Sequence, residues 1–473
     1  MKRIFCFLLV LLTTLSLCAC EKEPEQPEQP ESHGLQIGFA REDVMPQKGT
    51  PILEGTAPNR VMTEYVDILT VTCVAIRGEN EETVLLYTAD RIRTDDGWGK
   101  STRKVISEGT GIPQDRIMLA STHTHSAPKF SGWEGASEYL AYFQNKMVKA
   151  GQDALQDLTP SETYIGSTEA EGLAFVRHYK LADGSVTSSG IDAGSPLIVG
   201  HAAENDEELQ IVRFARENGK KDVILMSFTA HPAFYASVDS TTMSADFPGP
   251  TRDYIESKGD YLVAYFIGAA GNQEQRTKYA PEMAAAPKDY HEYARRLGDY
   301  LLAALPNLTK AEGNAVTVSG QHYQAKTNKE KLDMLEPAKE VMEVFNTEGR
   351  DAANRLASQY GLYQYLEAQS ITRRAEYADT NEVWLNVMSI GENLSFAFAP
   401  YEMFCENGSY LRANTPYDMT FLVTCSNGAE GYLPSKVACE YRCYEYYTTL
   451  FEVGTAEILI DEFLSMLNAI KNG

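Results

Sequence analysis

The histidines of residues 121–128, which read STHTHSAP, are the side chains of this sequence best suited to chemistry. They follow an apolar run, residues 116–120, that predicts a buried strand. On an extended segment His123 and His125 would project to the same face, because side chains alternate along a strand. They could meet one metal ion, or one could bind the ion while the other serves the reacting group. Paired histidines are also common in structural roles, so the motif needs partners.

Further polar side chains stand near the ends of apolar runs later in the sequence. One predicted strand stops at Pro232, directly after a histidine. Another run, residues 395–400, leads into a carboxylate that we expect to open a helix, where the helix dipole favours negative charge. Because a catalytic zinc site needs about three protein ligands and an open position, these groups are candidates to complete the shell. They are His231, Glu402, Tyr432 and Tyr444.

Taken together, these motifs resemble the neutral ceramidase family. The likeness covers residues 35–460 and is carried by His-Thr-His-Ser-x-Pro at 123–128, Ala-His-Pro at 230–232 and Pro-Tyr-Glu at 400–402. A pair of tyrosines twelve residues apart adds to it. The resemblance implies that one zinc ion is held by His123, His231, Glu402 and Tyr432. It also implies that the scissile carbonyl is surrounded by His125, Arg177 and Tyr444.

The sequence departs from the ceramidase pattern at the segment that carries a serine in that family. The family has Gly-Asp-x-Ser-Pro, whereas residues 271–275 read Gly-Asn-Gln-Glu-Gln here. Asn272 therefore replaces the aspartate and Glu274 the serine. The chain also stops soon after the catalytic region, so we expect the family's C-terminal immunoglobulin-like domain to be missing. These departures put ceramide itself in doubt but leave the proposed metal ligands in place.

Without the serine, the simplest predicted mechanism is attack on an amide or ester carbonyl by water that a zinc ion activates. His125 would carry the proton between that water and the leaving group. Arg177 and Tyr444 would meet the charge that develops on the carbonyl oxygen. Further contacts to substrate are predicted for Asp246, which could instead orient His231, and for Asn272 and Glu274. Glu274 is equally interpretable as a solvated loop carboxylate.

The elements that must position these groups alternate between strand and helix, which favours an α/β fold with a mixed β-sheet core and surrounding helices. Residues 329–369 are largely helical and charged and could form an inserted lobe. Strand-like runs are predicted at 68–76, 83–89, 209–214, 222–229, 261–267 and 394–398. Helices are predicted at 137–158, 290–305, 329–360 and 455–471. We treat 35–473 as one catalytic domain.

Residues 1–20 predict an export signal, with two basic residues, an apolar run and a small residue before Cys20. This arrangement resembles the bacterial lipoprotein signal, which implies lipidation of Cys20 and anchoring at the cell envelope. Ordinary secretion is the alternative. Residues 21–34 are acidic and rich in proline, which is typical of an extended tether.

The net charge of −24 becomes −26 when Lys2 and Arg3 leave with the signal, because residues 1–20 contain no acidic residue. Such a charge argues against nucleic acid as a partner. The expected partner is a small-molecule, lipid or glycan substrate, and the oligomeric state is open. The cysteines beyond Cys20 are expected to be structural; they are Cys73, Cys405, Cys425, Cys439 and Cys443.

Three functions remain open from the sequence. The leading hypothesis is an exported, zinc-dependent hydrolase of an amide or ester bond, similar to the ceramidases. The second is an enzyme that acts on carbohydrate, by deacylation or by cleavage of a modified glycan. The third is a binding lipoprotein that keeps the fold without catalysis. A long apolar slot would favour a lipid substrate, and a short polar bowl would favour a sugar.

Overall fold

The computed structural model describes residues 34–55, 60–94, 96–236 and 240–473. The predicted export signal, Cys20 and all of the tether except Gly34 lie outside this part of the chain. Strands and helices alternate along most of the described sequence, as the pattern of apolar runs predicts.

The strands are short to medium in length. In chain order they are β1 Gln36–Asp43, β2 Glu64–Tyr65, β3 Thr70–Arg77, β4 Thr83–Ala89, β5 Ile117–Ser121, β6 Thr159–Glu169, β7 Phe175–Val176, β8 Tyr179–Leu181, β9 Val186–Thr187, β10 Ile198–His201, β11 Glu208–Arg216, β12 Asp222–Phe228, β13 Thr242–Met243, β14 Tyr261–Ile267, β15 Gln273–Glu274, β16 Thr309–Lys310, β17 Val316–Lys326, β18 Thr380–Ile390, β19 Leu394–Phe398, β20 Glu402–Met403, β21 Met419–Val423 and β22 Tyr432–Leu433.

The α-helices lie mostly on the outside of the sheets. They are α1 Asp96–Thr110, α2 Ala136–Gln156, α3 Pro248–Glu256, α4 Ala280–Met283, α5 Tyr290–Ala304, α6 Leu335–Glu348, α7 Arg350–Gln359, α8 Tyr365–Glu376, α9 Cys405–Asn414, α10 Lys436–Cys439, α11 Tyr444–Thr448 and α12 Thr455–Asn472.

Two mixed sheets form the centre of the fold. The larger has the strand order β14-β12-β11-β6-β1-β3-β4-β5, with β16 paired to β6 beside that path. The smaller has the order β17-β18-β19-β21. Pairing is antiparallel in most of both sheets but parallel between β4 and β5, between β12 and β14, and between β19 and β21. The predicted α/β class with a mixed β-sheet core is confirmed.

The two sheets pack face to face, and helices cover their outer faces. Alternate side chains of the larger sheet, such as Val74 and Val223, join Phe396 and Phe421 of the smaller sheet in one buried cluster. The opposite face of the larger sheet packs against α2 at one end and against α3 and α5 at the other. The smaller sheet packs its outer face against α12. Burial on both faces explains why many strands read as continuous apolar runs.

The charged helical segment predicted near residue 329 is an insertion between the antiparallel neighbours β17 and β18. The prediction of one helix over 329–360 is wrong in detail. The chain breaks at Gly349, whose φ of 89° lies in the region that favours glycine, so α6 and α7 are separate helices. A third helix, α8, extends the segment to Glu376. We call α6 to α8 the helical lobe; it has a small apolar cluster of its own.

The five cysteines expected to be structural are all free and buried. Burial raises the pKa of the Cys439 thiol to about 12 and that of Cys443 to about 11. Among the described residues, we find no helix with the length and apolar character needed to cross a membrane.

The packing between the two sheets generates a first prediction. Phe396 is fully buried there, with its ring centroid 5.3 Å from that of Phe421. Phe396→Ala should lower the free energy of unfolding by about 3–5 kcal/mol, because it leaves a cavity between the sheets. Chemical denaturation followed by circular dichroism measures this loss. The control is Ile458→Ala, at a side chain that is 48% exposed, which should change stability by no more than about 0.5 kcal/mol. Equal midpoints for both variants would contradict the two-sheet core.

Candidate metal centre

The carboxyl ends of parallel strand pairs from both sheets meet at one place. The segment after β21 crosses from the smaller sheet to the larger one. Its Thr424 N–H donates to O of Ile267, the last residue of β14, at 3.1 Å, and its Asn427 N–H donates to Leu119 O of β5 at 2.8 Å. These bonds satisfy backbone groups that strand ends would otherwise leave unpaired. They also fix the loop after β21 beside the ends of β5 and β14.

His123 reaches the site through an unusual backbone conformation. The sequence predicted an extended segment, but β5 ends at Ser121 and His123 has a φ of 70°. Its N–H donates to Arg91 O at 2.9 Å, which ties the bend to the segment after β4. The His125 N–H donates to Pro232 O at 3.3 Å. The two imidazoles therefore converge through a left-handed residue rather than through strand alternation. Such strain concentrates at functional sites.

Backbone carbonyls orient two of the imidazoles. His123 Nδ1 lies 2.5 Å from Ile92 O, and His231 Nδ1 lies 3.0 Å from Gln273 O. A carbonyl can only accept, so each Nδ1 carries a proton, and in the neutral imidazole that binds a metal each Nε2 would offer its lone pair. Metal-bound histidines nearly always have this support, because it fixes the tautomer and the ring orientation. His123 Nδ1 also lies 3.4 Å from the Cys425 sulfur.

Glu402 brings a carboxylate to both imidazoles. We expected it to open a helix, but it lies in β20, which pairs in parallel with β22, and α9 begins three residues later at Cys405. Its Oε2 is 3.4 Å from His123 Nε2 and 3.4 Å from His231 Nε2. Burial opposes its ionisation, yet the neighbouring His123 and His231 hold the pKa of Glu402 well below its usual range.

These ligand atoms have the spacing that a metal ion requires. Two atoms bound tetrahedrally to zinc at about 2.1 Å lie about 3.4 Å from each other. Within the described part of the chain, the buried Glu402 Oε2 and His231 Nε2 have no hydrogen-bond partner. Buried polar atoms are rarely left in this state, and a cation between them would satisfy both. The donor set of imidazole and carboxylate suits a divalent transition metal.

His125 belongs to the same cluster but differs from His123 and His231 in the hydrogen bonding of its imidazole ring. The ligand atoms of His123, His125 and His231 all lie within 4.8 Å of one another, so the three histidines could also share a metal. His125 Nε2 is 3.4 Å from His123 Nε2. Among the described residues its Nδ1 has no hydrogen-bond partner, unlike the Nδ1 atoms of the other two. Burial, together with His123 and His231, holds the pKa of His125 well below its ordinary value.

The close approach of Gly271 to β20 helps to hold the carboxylate in place. Gly271 N–H donates to Met403 O at 2.7 Å. A Cβ at this position would lie 2.5 Å from Glu402 O and 2.8 Å from Met403 O. Only glycine therefore allows the two backbones to approach this closely. The same turn continues into Gln273, whose carbonyl orients His231.

The predicted tyrosines and arginine also come to the site. Tyr432 is paired with Glu402 by the β20–β22 register, and its ring centroid is 5.5 Å from that of Tyr444. The guanidinium carbon of Arg177 lies 5.5 Å from the Tyr432 ring centroid. Burial and the negative charge of Glu402 raise the pKa of both tyrosines, although Arg177 opposes this. Both phenols therefore stay protonated and able to donate hydrogen bonds.

Glu445 is a residue that sequence reasoning did not assign to the site. Its fully buried carboxylate accepts from Arg177 Nε at 2.7 Å and from His178 Nε2 at 2.7 Å. Burial opposes its ionisation, but Arg177 and His178 lower the pKa of Glu445 to about 2. Glu445 therefore fixes the direction of the Arg177 side chain. Its position next to Tyr444 was visible in the sequence, but its partners lie more than 260 residues away.

The three predicted substrate contacts, Asp246, Asn272 and Glu274, each have a partner within the protein. Asp246 is fully buried and accepts backbone N–H groups of Phe247 at 2.8 Å and Tyr235 at 3.3 Å, and burial raises its pKa to about 7. It does not orient His231, because Gln273 does so. Asn272 is also buried, donating to Glu406 and accepting from the Cys405 N–H, each at 2.9 Å.

Glu274 is the residue that the sequence resemblance matches to the ceramidase serine. Its side chain is 40% exposed, and its carboxylate lies 3.3 Å from Arg177 Nη1. Glu274 is therefore partly exposed and paired with Arg177, and it is not among the described residues that line the cavity. Asp246 and Asn272 are likewise absent from the described residues that line the cavity.

A cavity of about 620 Å³ opens over the histidine cluster. Its walls come from the loops after β4 and β5, from the segment around β22, from α11 and from the helical lobe. The lobe contacts α11 through a stacked pair of rings, Tyr363 and Tyr447, with centroids 4.5 Å apart. The lining residues are Gly55, Ile92, Arg93, His125, Lys129, Phe345, Tyr365, Leu366, Gln369, Arg373, Glu402, Ala429, Gly431, Tyr432, Tyr444 and Thr448.

Comparison with solved structures gives the fold a name. The neutral ceramidase of Pseudomonas aeruginosa matches with a TM-score of 0.66 and 15% identity, over 93% of this chain and 75% of that one. A ceramidase complexed with C2 matches to the same extent. The fold is that of the neutral ceramidases. No protein-family profile matches the chain, and no curated protein sequence matches it significantly.

The geometry of the cluster generates a second prediction. Glu402→Ala should remove bound metal from the purified protein, because it deletes the oxygen that lies 3.4 Å from both ligating nitrogens. Metal content by inductively coupled plasma mass spectrometry is the measurement. The control is Glu274→Ala. It also deletes a carboxylate, but one that is paired with Arg177 rather than with the histidines, so it should retain the metal of the wild type. If Glu402→Ala retained one full equivalent of metal, this carboxylate would be excluded from the metal shell.

Proposed function

We propose that this protein is an exported, zinc-dependent hydrolase that cleaves an amide or ester bond in an N-acyl or O-acyl substrate. The single observation that carries the proposal is the spacing of the buried Glu402 Oε2 from the Nε2 atoms of His123 and His231, 3.4 Å in each case. This set lies below a cavity of suitable size for a small substrate. The neutral-ceramidase-like fold supports the same chemistry.

The residues assigned to the metal are His123, His231 and Glu402, with Tyr432 as the fourth member because of its pairing with Glu402. A zinc ion bound there would lower the pKa of water to roughly 7 and polarise a carbonyl oxygen. His123 and His231 are already turned with their Nε2 atoms toward Glu402 by Ile92 O and Gln273 O. The site therefore needs little reorganisation on binding.

His125 is assigned to proton transfer. It lines the cavity, and its Nε2 is 3.4 Å from His123 Nε2, so it stands beside both metal and substrate. The absence of a carbonyl at its Nδ1, within the described residues, separates it from the two supported ligands. A neutral imidazole at this place can accept a proton from water and return it to the leaving amine or alcohol.

Arg177 and Tyr444 are assigned to the developing oxyanion. Tyr444 lines the cavity with a protonated phenol, and Arg177 approaches the neighbouring Tyr432 ring. Glu445 holds the guanidinium of Arg177 and so acts as a positioning residue. Groups fixed in this way stabilise charge without rearranging during the reaction.

The described residues that line the cavity do not favour a mechanism with a covalent nucleophile. Among the described lining residues there is no serine or cysteine, and the hydroxyl of Thr448 donates to Tyr444 O at 3.0 Å. Glu274, at the position of the family's serine, is paired with Arg177. Direct attack by water therefore accounts for these residues with the fewest steps.

By the lipoprotein-like signal in the sequence, we propose that the enzyme is anchored to the cell envelope at Cys20.

A substrate screen tests the proposal. Zinc-loaded wild-type protein would be assayed on ceramide, other N-acyl lipids, carboxylic esters and acylated sugars, with His123→Ala as the inactive control. Hydrolysis of an amide or ester that requires both zinc and His123 is the expected result. Turnover confined to sugars would favour the carbohydrate hypothesis. Zinc binding without turnover of any compound would favour the binding lipoprotein.

A third prediction concerns Tyr444. Tyr444→Phe should retain zinc and lower kcat about 100-fold or more, because one oxyanion donor is lost while packing is kept. Steady-state kinetics with metal analysis provides the readout. The control is Tyr447→Phe in the same helix, whose ring stacks on Tyr363 and which should keep near wild-type kcat. A rate unchanged by Tyr444→Phe would remove this phenol from transition-state stabilisation.

A further inference from the structure

The cavity over the metal centre carries positive charge in a protein of net charge −24. Three of its described lining residues are cations, namely Arg93, Lys129 and Arg373. The acidic residue in the same lining is Glu402, which is committed to the histidines. The local charge of the cavity is therefore opposite to that of the molecule.

These cations differ from other basic residues nearby in having no acidic partner within the described part of the chain. Arg91, two residues from Arg93, forms a buried ion pair with Glu54. Arg177 is paired with Glu445 and Glu274. Arg93, Lys129 and Arg373 form no ion pair or side-chain hydrogen bond among the described residues, although acidic side chains are abundant. Within this part of the chain, no ion pair prevents these three charges from binding a ligand.

The backbone positions of two of these cations are fixed close to the metal centre. Arg93 follows Ile92, whose carbonyl orients His123 and whose N–H donates to Glu54 Oε2 at 2.9 Å. Lys129 N–H donates to Ile52 O at 2.8 Å. Arg93 and Lys129 also line an adjacent cavity, so they stand where the two cavities adjoin. A ligand reacting at the histidines would thus have these charges within reach.

The third cation comes from a different element. Arg373 lies in α8 of the helical lobe, which also supplies the apolar side chains Phe345, Tyr365 and Leu366 to the cavity. Positive charge and apolar surface are therefore combined around one metal centre. A neutral lipid would use only the apolar surface, and a simple inorganic anion would use only the three cations.

We propose that the substrate carries an anionic group close to its scissile acyl bond, and that Arg93, Lys129 and Arg373 bind this group while the apolar wall of the lobe receives the acyl chain. The anion is a carboxylate or a similar oxyanion such as a sulfonate or phosphate, all of which accept charge-assisted hydrogen bonds from arginine and lysine. This inference rests on the proposed hydrolase function and specifies its substrate class. It also assigns the cations a role in attraction, since the remaining charge of the protein repels anions.

The test uses two probes that share an acyl chain and an amide, N-dodecanoylglycine with a carboxylate and N-dodecanoylethanolamine without charge. Binding to the zinc-loaded wild type is measured by calorimetry, and kcat and KM are measured separately. The carboxylate probe should bind about tenfold or more tightly, as expected for a charge-assisted contact. Added salt should reduce this preference, because it screens exposed charges.

Single variants Arg93→Gln, Lys129→Met and Arg373→Gln should each raise KM for the carboxylate probe about three- to tenfold, with little change in kcat or in the kinetics of the neutral probe. Zinc content should stay at the wild-type level. The matched control is Arg355→Gln in α7, an exposed arginine outside the described cavity lining, which should change neither probe.

The outcomes separate this inference from the proposed function. Equal affinity for the two probes, a preference that survives in all three variants, or no binding of the carboxylate probe at millimolar concentration would overturn the anion site. If both probes are hydrolysed equally, the hydrolase stands and the anion site fails. If the carboxylate probe binds preferentially through the three cations without hydrolysis of either, the anion site stands and the hydrolase fails.

Discussion

A buried carboxylate held between two imidazole nitrogens is the arrangement on which the other features of this site depend. Glu402 Oε2 lies 3.4 Å from the Nε2 atoms of both His123 and His231, with no hydrogen bond to either. Removing such groups from water is costly unless a partner replaces the solvent. A bound cation would supply that partner. A metal held there would therefore compensate for burial as well as provide the proposed chemistry.

The fold imposes this arrangement through its backbone. Each sheet contributes strands whose carboxyl ends point to the same place, and the loop after β21 links the sheets through Thr424 and Asn427. Carbonyls of Ile92 and Gln273 then orient the rings, and the lack of a side chain at Gly271 lets one more strand approach. Because each support comes from a different element, the site can form only when both sheets have packed together.

Much of the fold and of the candidate site could be predicted from the sequence, for identifiable reasons. The buried strands were recognisable because burial on both faces produces continuous apolar runs, and His231 and Glu402 followed such runs. The left-handed bend at His123 could not be predicted, because it depends on a hydrogen bond to Arg91 O. The partners of Asp246 and Asn272 could not be predicted either, because they include backbone N–H groups and the Glu406 carboxylate, which no local pattern indicates. The partners of Glu445 lie too far along the chain for any local pattern.

The charge of the cavity is opposite to the net charge that the composition gives for the whole protein. A net charge of −24 indicates a surface that repels anions, yet Arg93, Lys129 and Arg373 reach the cavity without acidic partners among the described residues. Two of them belong to loops that support the metal centre, whereas the third belongs to a lobe inserted between β17 and β18. The contribution of the lobe to the proposed recognition of substrate can therefore change without altering the candidate metal centre, since the histidines lie on the loops after β5 and β12 and not in the lobe. An inserted helical segment could thus set specificity without any change in the arrangement of the two sheets.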